Sequence, residues 1–266
     1  MAQAPDWIAA DYRAGLLRLF AIAADGRILG ETAEPAPANG VAEAARLLMN
    51  TLPGPAPMLL CGAEAEPRSV PCAPLPSEPI AAQAAAPQIR LLPPLAQAAP
   101  RARSDGAEAR AAGLLARRPD FDGVVCVVGP AMTHWLHLSA GEVVSLQGFA
   151  TGALLAGLAA PQAGVVHADA FDAALTDVLS RPERLAGALG TAQLDTAADR
   201  DAATLGALAG AELAATRAYW LGQAVTVIGD GPLAAAMVRA LQGQGAAPQS
   251  EADTPLLLAG LAAARG

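Results

Sequence analysis

Lysine is absent from this chain. All 17 basic residues are arginine, against 25 acidic ones, for a net charge of −8. A nucleic-acid surface needs clustered cations to displace counterions from phosphates. No basic block is present, so nucleic acid is not an expected partner. The densest basic stretch, Arg101, Arg103 and Arg110, is broken by Asp105 and Glu108 and reads as a solvated face. Aromatic residues make up only 3% of the chain, so contacts between elements must be close and lined by alanine. Cys61, Cys72 and Cys126 form an odd set with no CxxC, as expected of reduced, mostly buried thiols in a cytoplasmic protein. With His134, His137 and His167 they do not give the close spacing that zinc requires. The first residues carry Asp6 and no apolar h-region, so no signal peptide is expected. The apolar run Phe149 to Val166 contains Pro161 and reads as a buried helix and a loop rather than a membrane span. GxSxG, HExxH and a Cys/His pair are all missing, which removes the common hydrolase signatures.

What is present is one pattern written twice. The first copy reads strand Trp7–Ala10, break Asp11–Gly15, strand Leu16–Ala23, turn Asp25-Gly26 and strand Arg27–Thr32. Asp-Gly between apolar runs is a strong hairpin signal because both positions tolerate positive φ. The second copy opens at Asp122, breaks at Gly129-Pro130-Ala131-Met132-Thr133, and turns again at Ser139-Ala140-Gly141-Glu142. A helix is expected over Val41–Met49 and a strand over Met58–Cys61. The proline-dense stretch Glu64 to Pro100 blocks long helices. Beyond Thr151 the chain reads as mostly helical, with one late strand, Ala224–Ile228. The repeat predicts an α/β protein of two domains, 1–118 and 119–266, with a ligand cleft between the halves.

Several short motifs suggest chemistry. Asp11 closes the first strand and faces a loop, where a carboxylate holds Mg²⁺ or caps a turn. Gly129 and Thr133 offer a backbone donor and a hydroxyl to phosphate oxygens, although Pro130 removes one donor. Thr151-Gly152 starts a helix after a strand, so Thr151 either caps it or touches an anionic substrate. Gly229-Asp230-Gly231 follows a strand and opens a helix. Read alone, with Ala234, it fits a dinucleotide fingerprint. The acid-tipped strand that fingerprint requires is not evident, because AAPQSEADTP after Gly245 has no apolar run and Glu251 sits on no recognisable strand. His134 and His137 flank Trp135 and are read as sharing one polar strand face.

Taken in order, these motifs resemble the 2-dehydro-3-deoxygalactonokinase family of sugar-acid kinases, within the actin-like ATPase (ribonuclease H-like) superfold. The matching text is WIAADYRAGLLRLF, then DFDGVVC with THWLHLSAGEVVSLQ and Thr151-Gly152, then LAGAELAATRAYW, VTVIGDGPLAAAMVRAL and EADTPLLLAGL. The resemblance implies a two-domain actin-like fold and ATP-dependent phosphorylation of 2-dehydro-3-deoxy-D-galactonate in galactonate breakdown, with ATP and Mg²⁺ as cofactors. It implies Asp11 and Glu108 as catalytic residues, with Asp11 also the metal ligand. Gly15, Gly129, Thr133, Gly229, Asp230 and Gly231 would contact nucleotide, and Thr151 and Gly152 substrate. The implied partners are the sugar acid and ATP, with no nucleic acid or membrane and with a homodimer left open. The chain also departs from the family pattern. Arg13, Ala14 and Gly15 stand where the family has a glycine and small hydroxyl residues, and His134 stands where it has a lysine. Ala153 replaces a glutamate, and of an Arg-Gly-Glu-Glu stretch only Gly106 and Glu108 are kept. These losses raise the alternative of a catalytically inactive pseudokinase that binds a ligand or partner.

Overall fold

The computed structural model describes residues 3–78, 80–83, 86–158 and 167–265. The chain divides into two compact units. The first comprises Met1–Phe121, Ala140–Leu146 and Thr254–Gly266, and the second Asp122–Ser139 and Gln147–Asp253.

The first unit opens with β1 (Trp7–Arg13), β2 (Leu16–Ile22) and β3 (Ile28–Pro35), followed by α1 (Val41–Leu48) and β4 (Met58–Cys61). The proline-rich stretch supplies only short strands, β5 (Arg68–Ser69), β6 (Ala82–Gln83), β7 (Ala86–Leu91), β8 (Leu95–Gln97) and β9 (Ala102–Arg103), before α2 (Ala107–Arg117). The main sheet runs β3-β2-β1-β4-β7-β6. β1, β2 and β3 pair antiparallel, while β1, β4 and β7 run parallel.

Side chains alternate across β1. Ile8 and Ala10 pack with Leu19, Leu60 and the α1 residues Val41, Ala45 and Leu48. Trp7 and Ala9 face the other way, onto Ala109 of α2 and Leu257 and Leu261 of the C-terminal helix Asp253–Arg265. That alternation places Asp11 and Arg13 on the α2 side. α2 and the C-terminal helix meet through glycines. A Cβ on Gly113 would lie 1.9 Å from the Leu256 carbonyl oxygen, and one on Gly260 1.8 Å from that of Ala109.

The expected break Asp11–Gly15 is much shorter in the structure. β1 continues through Arg13, with Asp11 opposite Arg18, and only Ala14 and Gly15 form the turn, at φ 51° and 80°. Asp11 stays in the ladder because β2 and β4 pair with it on both sides, opposite Arg18 and Cys61.

The second unit contains β10 (Gly123–Val128), β11 (Thr133–Ser139), the end of β12 (Glu142–Phe149), α3 (Thr151–Leu158), α4 (Ala168–Ser180), α5 (Leu185–Ala192), α6 (Ala197–Ala215), α7 (Arg217–Trp220), β13 (Val225–Ile228), α8 (Pro232–Gly243) and β14 (Gln249–Glu251). Its sheet runs β12-β11-β10-β13-β14, which repeats the order of β3-β2-β1-β4-β7. β10 pairs antiparallel with β11 and parallel with β13. The core joins Cys126, Trp135 and Val227 to Phe171, Leu208, Leu213 and Met237. α4 and α6 pack backbone to backbone, since a Cβ on Gly206 would lie 2.2 Å from the Phe171 carbonyl oxygen. Close, small-residue packing is the consequence of so few aromatics.

β14 was not expected. It is three residues long, polar, parallel to β13, and places Glu251 opposite Ile228. The helix expected over Thr151–Ala160 is seen to Leu158, and the rest of the run to Val166 lies outside the described residues. Among the described residues no helix is long and apolar enough to cross a membrane.

Candidate active site

In the first unit the chemistry gathers around Asp11, which is 2% exposed. Arg110 of α2, fully buried, donates from Nη1 to Oδ1 at 2.7 Å and from Nη2 to Oδ2 at 2.8 Å. Arg18 donates to Oδ2 from 2.9 Å. The Cys61 thiol lies 3.3 Å from Oδ1. Burial alone pushes the Asp11 carboxyl up. The charge and hydrogen bonds of Arg110, with the charges of Arg13 and Arg18, outweigh it and hold the group well below the usual carboxylate range. The reading of Arg110 as part of a solvated face is overturned. Arg101 and Arg103 are exposed, but Arg110 closes a buried two-pronged ion pair.

Gly106 precedes α2 at φ 97°, and its carbonyl takes a further bond from Arg110 at 3.1 Å. A Cβ there would lie 2.9 Å from Arg110 Nη1 and 3.4 Å from Asp11 Oδ1, so glycine lets α2 begin directly over the carboxylate. Two residues on, Glu108 is fully buried, accepts from Ser104 Oγ and leaves Oε1 without a hydrogen-bond partner. Burial pushes Glu108 up to about 7 against the opposing bond from Ser104. Asp11, Gly106, Glu108 and Arg110 thus form one cluster. Gly15 stands apart, in the hairpin turn, with open space where a Cβ would go.

In the second unit the turns after β10 and β13 lie side by side. A Cβ on Gly229, at φ 155°, would lie 2.9 Å from the carbonyl oxygen of Val128, the last residue of β10. The Gly229 amide donates to the Glu251 carbonyl of β14 at 3.1 Å. Asp230 and Gly231 are exposed, and Gly231 opens α8 with open space around its Cβ position. The first turn of α3 rests on the loop after β10. A Cβ on Gly152 would sit 2.5 Å from the Pro130 carbonyl oxygen, and the Ala153 amide donates to Ala131 at 2.9 Å. Thr133 begins β11 fully buried, and its hydroxyl has no hydrogen-bond partner.

Sequence reasoning did not single out Glu212 of α6. It is 2% exposed and accepts from the Trp135 indole at 2.7 Å and from the Thr151 hydroxyl. Burial pushes it up to about 7, opposed by those two bonds. A lone carboxylate in the apolar helix text LAGAELAA was its available signal. The two histidines of β11 do not share a face. Three residues apart in a strand they point oppositely: His134 is fully buried beside Gly148, and His137 stacks edge-on with Tyr219.

As arranged, Asp11 offers little to a divalent cation, because two guanidinium groups hold its oxygens and a third adds positive charge. Among the described residues no group of three His, Cys, Asp or Glu is placed to hold a metal ion.

The chain is similar to known proteins along nearly its whole length. The model of the 2-keto-3-deoxy-galactonokinase family matches residues 11–264. A Sinorhizobium meliloti protein, proposed to be a 2-dehydro-3-deoxygalactonokinase, is similar at 25% identity over 97% of both chains, with a TM-score of 0.81. Two more distant structures share the fold. One is the activator of 2-hydroxyisocaproyl-CoA dehydratase from Clostridium difficile with bound ADPNP (11% identity, 97% of this chain and 92% of that one, TM-score 0.53). The other is a ROK family glucokinase from Streptomyces griseus in complex with glucose and AMPPNP (13%, 97% and 98%, TM-score 0.50). No curated protein sequence matches. Matched along nearly its whole length and built on two sheets of the same actin-like strand order, this chain belongs to the 2-keto-3-deoxy-galactonokinase family of sugar kinases.

Proposed function

We propose that the protein transfers the γ-phosphoryl group of ATP to the terminal hydroxyl of 2-dehydro-3-deoxy-D-galactonate, as a cytoplasmic step of galactonate breakdown. The observation that carries this reading is the pair of glycine turns closing the neighbouring ends of β10 and β13, inside the stretch the family match covers. The nucleotides bound by the two distant fold relatives support ATP as the donor.

Phosphoryl transfer asks a protein mainly for positioning and charge neutralisation. Gly129, Gly229, Asp230 and Gly231 would let the nucleotide approach the backbone, and the buried, unpartnered Thr133 hydroxyl is a donor in reserve. Gly15 would add the first-unit turn. Thr151 and Gly152 would face the sugar acid. The two first-unit carboxyls are pushed apart in acidity, the arrangement expected when one is a permanent anion and the other a proton acceptor. Asp11 then holds Arg18 and Arg110 as fixed positive charge, and Glu108, near neutrality, takes the proton of the attacking hydroxyl. That role requires the Ser104–Gly106 turn to move, because Glu108 is fully buried. Mg²⁺ enters only as the counter-ion of ATP; the metal role expected of Asp11 finds no support in this geometry.

The arginine grip on Asp11 is also what favours the second reading, a pseudokinase that binds nucleotide without turnover. Purified protein incubated with ATP and 2-dehydro-3-deoxygalactonate, with ADP release and phosphorus NMR as readouts, tests the kinase. No turnover above blank at millimolar substrate rejects it. A thermal shift with Mg·ATP in that case marks the pseudokinase, since a ligand that binds only the folded state raises its stability.

A further inference from the structure

We infer that Glu212 is the positioning residue for Thr151: its carboxyl fixes the first turn of α3 on the loop after β10 and decides which way the Thr151 hydroxyl sends its proton. The role of Thr151 toward substrate rests on the function proposed above; the hydrogen-bond geometry does not.

Three elements meet at this carboxyl. Trp135 comes from β11, Thr151 from the start of α3, and Glu212 from the last turn of α6. An indole N–H can only donate, so Glu212 Oε1, 2.7 Å from Trp135 Nε1, is always an acceptor. Any proton on the carboxyl therefore sits on Oε2, facing Thr151. With Glu212 ionised, the Thr151 hydroxyl donates to Oε2. With Glu212 protonated, Oε2–H donates to Thr151, and the threonine proton is released to point elsewhere. The same first turn carries Gly152 and Ala153 against Pro130 and Ala131. The carboxyl thus holds the same turn that rests on the loop.

The groups facing Glu212 are few. They are the Cys126 thiol of β10, itself pushed well up by burial and then by Glu212, the Trp135 indole and the Thr151 hydroxyl. Among the described residues no charged side chain offsets the burial of the carboxyl. Its titration near neutrality therefore alternates the two hydrogen-bond states. A glutamine at this position must turn its oxygen to Trp135 and its NH₂ to Thr151, so Glu212→Gln copies the protonated state at every pH.

The test uses full-length protein labelled with ¹⁵N at the tryptophan indoles, with the Trp135 signal assigned by its loss in Trp135→Phe. Trp220, which donates to the Leu213 carbonyl, is an internal control. The Trp135 proton resonance is expected to move downfield as the pH rises through about 7, and to stay fixed in Glu212→Gln. A wild-type resonance that does not titrate overturns the inference without any variant having to fold, and so does an identical titration in Glu212→Gln. In the kinase assay, KM for the sugar acid should rise with pH through the same range in the wild type. Glu212→Gln should weaken that pH dependence of KM while changing kcat, whose profile follows Glu108, little. A variant that keeps the wild-type KM profile refutes the control over Thr151. Absence of all turnover with an intact indole titration refutes only the proposed activity.

Discussion

Replacing Arg110 by leucine removes both hydrogen bonds, at 2.7 and 2.8 Å, that neutralise a carboxylate only 2% exposed. Arg18 still donates to Oδ2, and the charge of Arg13 remains. Breaking one side of a buried pair costs about 3–5 kcal/mol when the surviving charge is left uncompensated, and with Arg18 and Arg13 still acting on Asp11 the cost lies toward the lower end. Arg110→Leu should therefore destabilise the first unit by that amount at neutral pH. The sign of its pH dependence follows from Asp11. In the wild type the folded carboxyl is held low, so its contribution is present above the unfolded value of about 3.9 and is lost as pH falls through the folded one. In the variant, burial is less fully opposed and the acidity of Asp11 falls, so acidification relieves part of the cost. Replacing both residues, Asp11→Leu with Arg110→Leu, should recover most of the loss, since exchanging a buried pair for apolar groups is often near neutral. Hydrogen exchange of the β1 amides reads the first unit alone. A cost below about 1 kcal/mol, or a double variant as unstable as the sum of the singles, would refute the buried-pair argument.

Glu108 and Glu212 are both raised from 4.5 to about 7 by burial, so the folded state holds two protons that the unfolded chain releases earlier. Stability should fall as pH rises from 4.5 to about 7, by about 3 kcal/mol for each group, and Glu108→Gln should remove its share; urea titrations across that range check both. Gly229→Ala places a Cβ 2.9 Å from the Val128 carbonyl oxygen and should weaken nucleotide binding measured by calorimetry. Gly231→Ala meets open space, but φ 83° and ψ −170° belong to a backbone region that is essentially glycine's alone, so it should cost about 1–3 kcal/mol through strain. Gly113→Ala drives a Cβ to 1.9 Å from the Leu256 carbonyl oxygen; it should lower Tm through an overpacking cost at or above the top of the usual 1–3 kcal/mol.

Much of the scaffold was legible because its strands alternate or run apolar and its turns carry Asp-Gly or Gly-rich signals, as at Asp25-Gly26 and Gly229–Gly231. β14 was not, because Gln249-Ser250-Glu251 is a polar edge strand with no apolar residue to betray it. Asp11 reads as the start of a break because Arg13-Ala14-Gly15 follows closely and looks like a turn. The strand runs on between β2 and β4, and Arg110, ninety-nine positions away, takes up much of the charge. The burial of Arg110 was half visible, since Asp11 shares a strand face with Trp7 and Ala9, but local charge density cannot reveal a pairing across the fold. The histidine pair was a matter of parity, which the sequence did contain. Glu212 was overlooked because an isolated acid in an alanine-rich helix has no motif, and its meaning comes from what Trp135 and Thr151 bring to it.

The central claim is that this arginine-gripped variant of the family still transfers phosphate. The most direct measurement is phosphorus NMR of the purified protein with ATP and 2-dehydro-3-deoxygalactonate. A new phosphomonoester signal should grow in step with ADP in the wild type and be absent in Glu108→Gln. ATP and sugar acid that remain unchanged beside folded wild-type protein would contradict it.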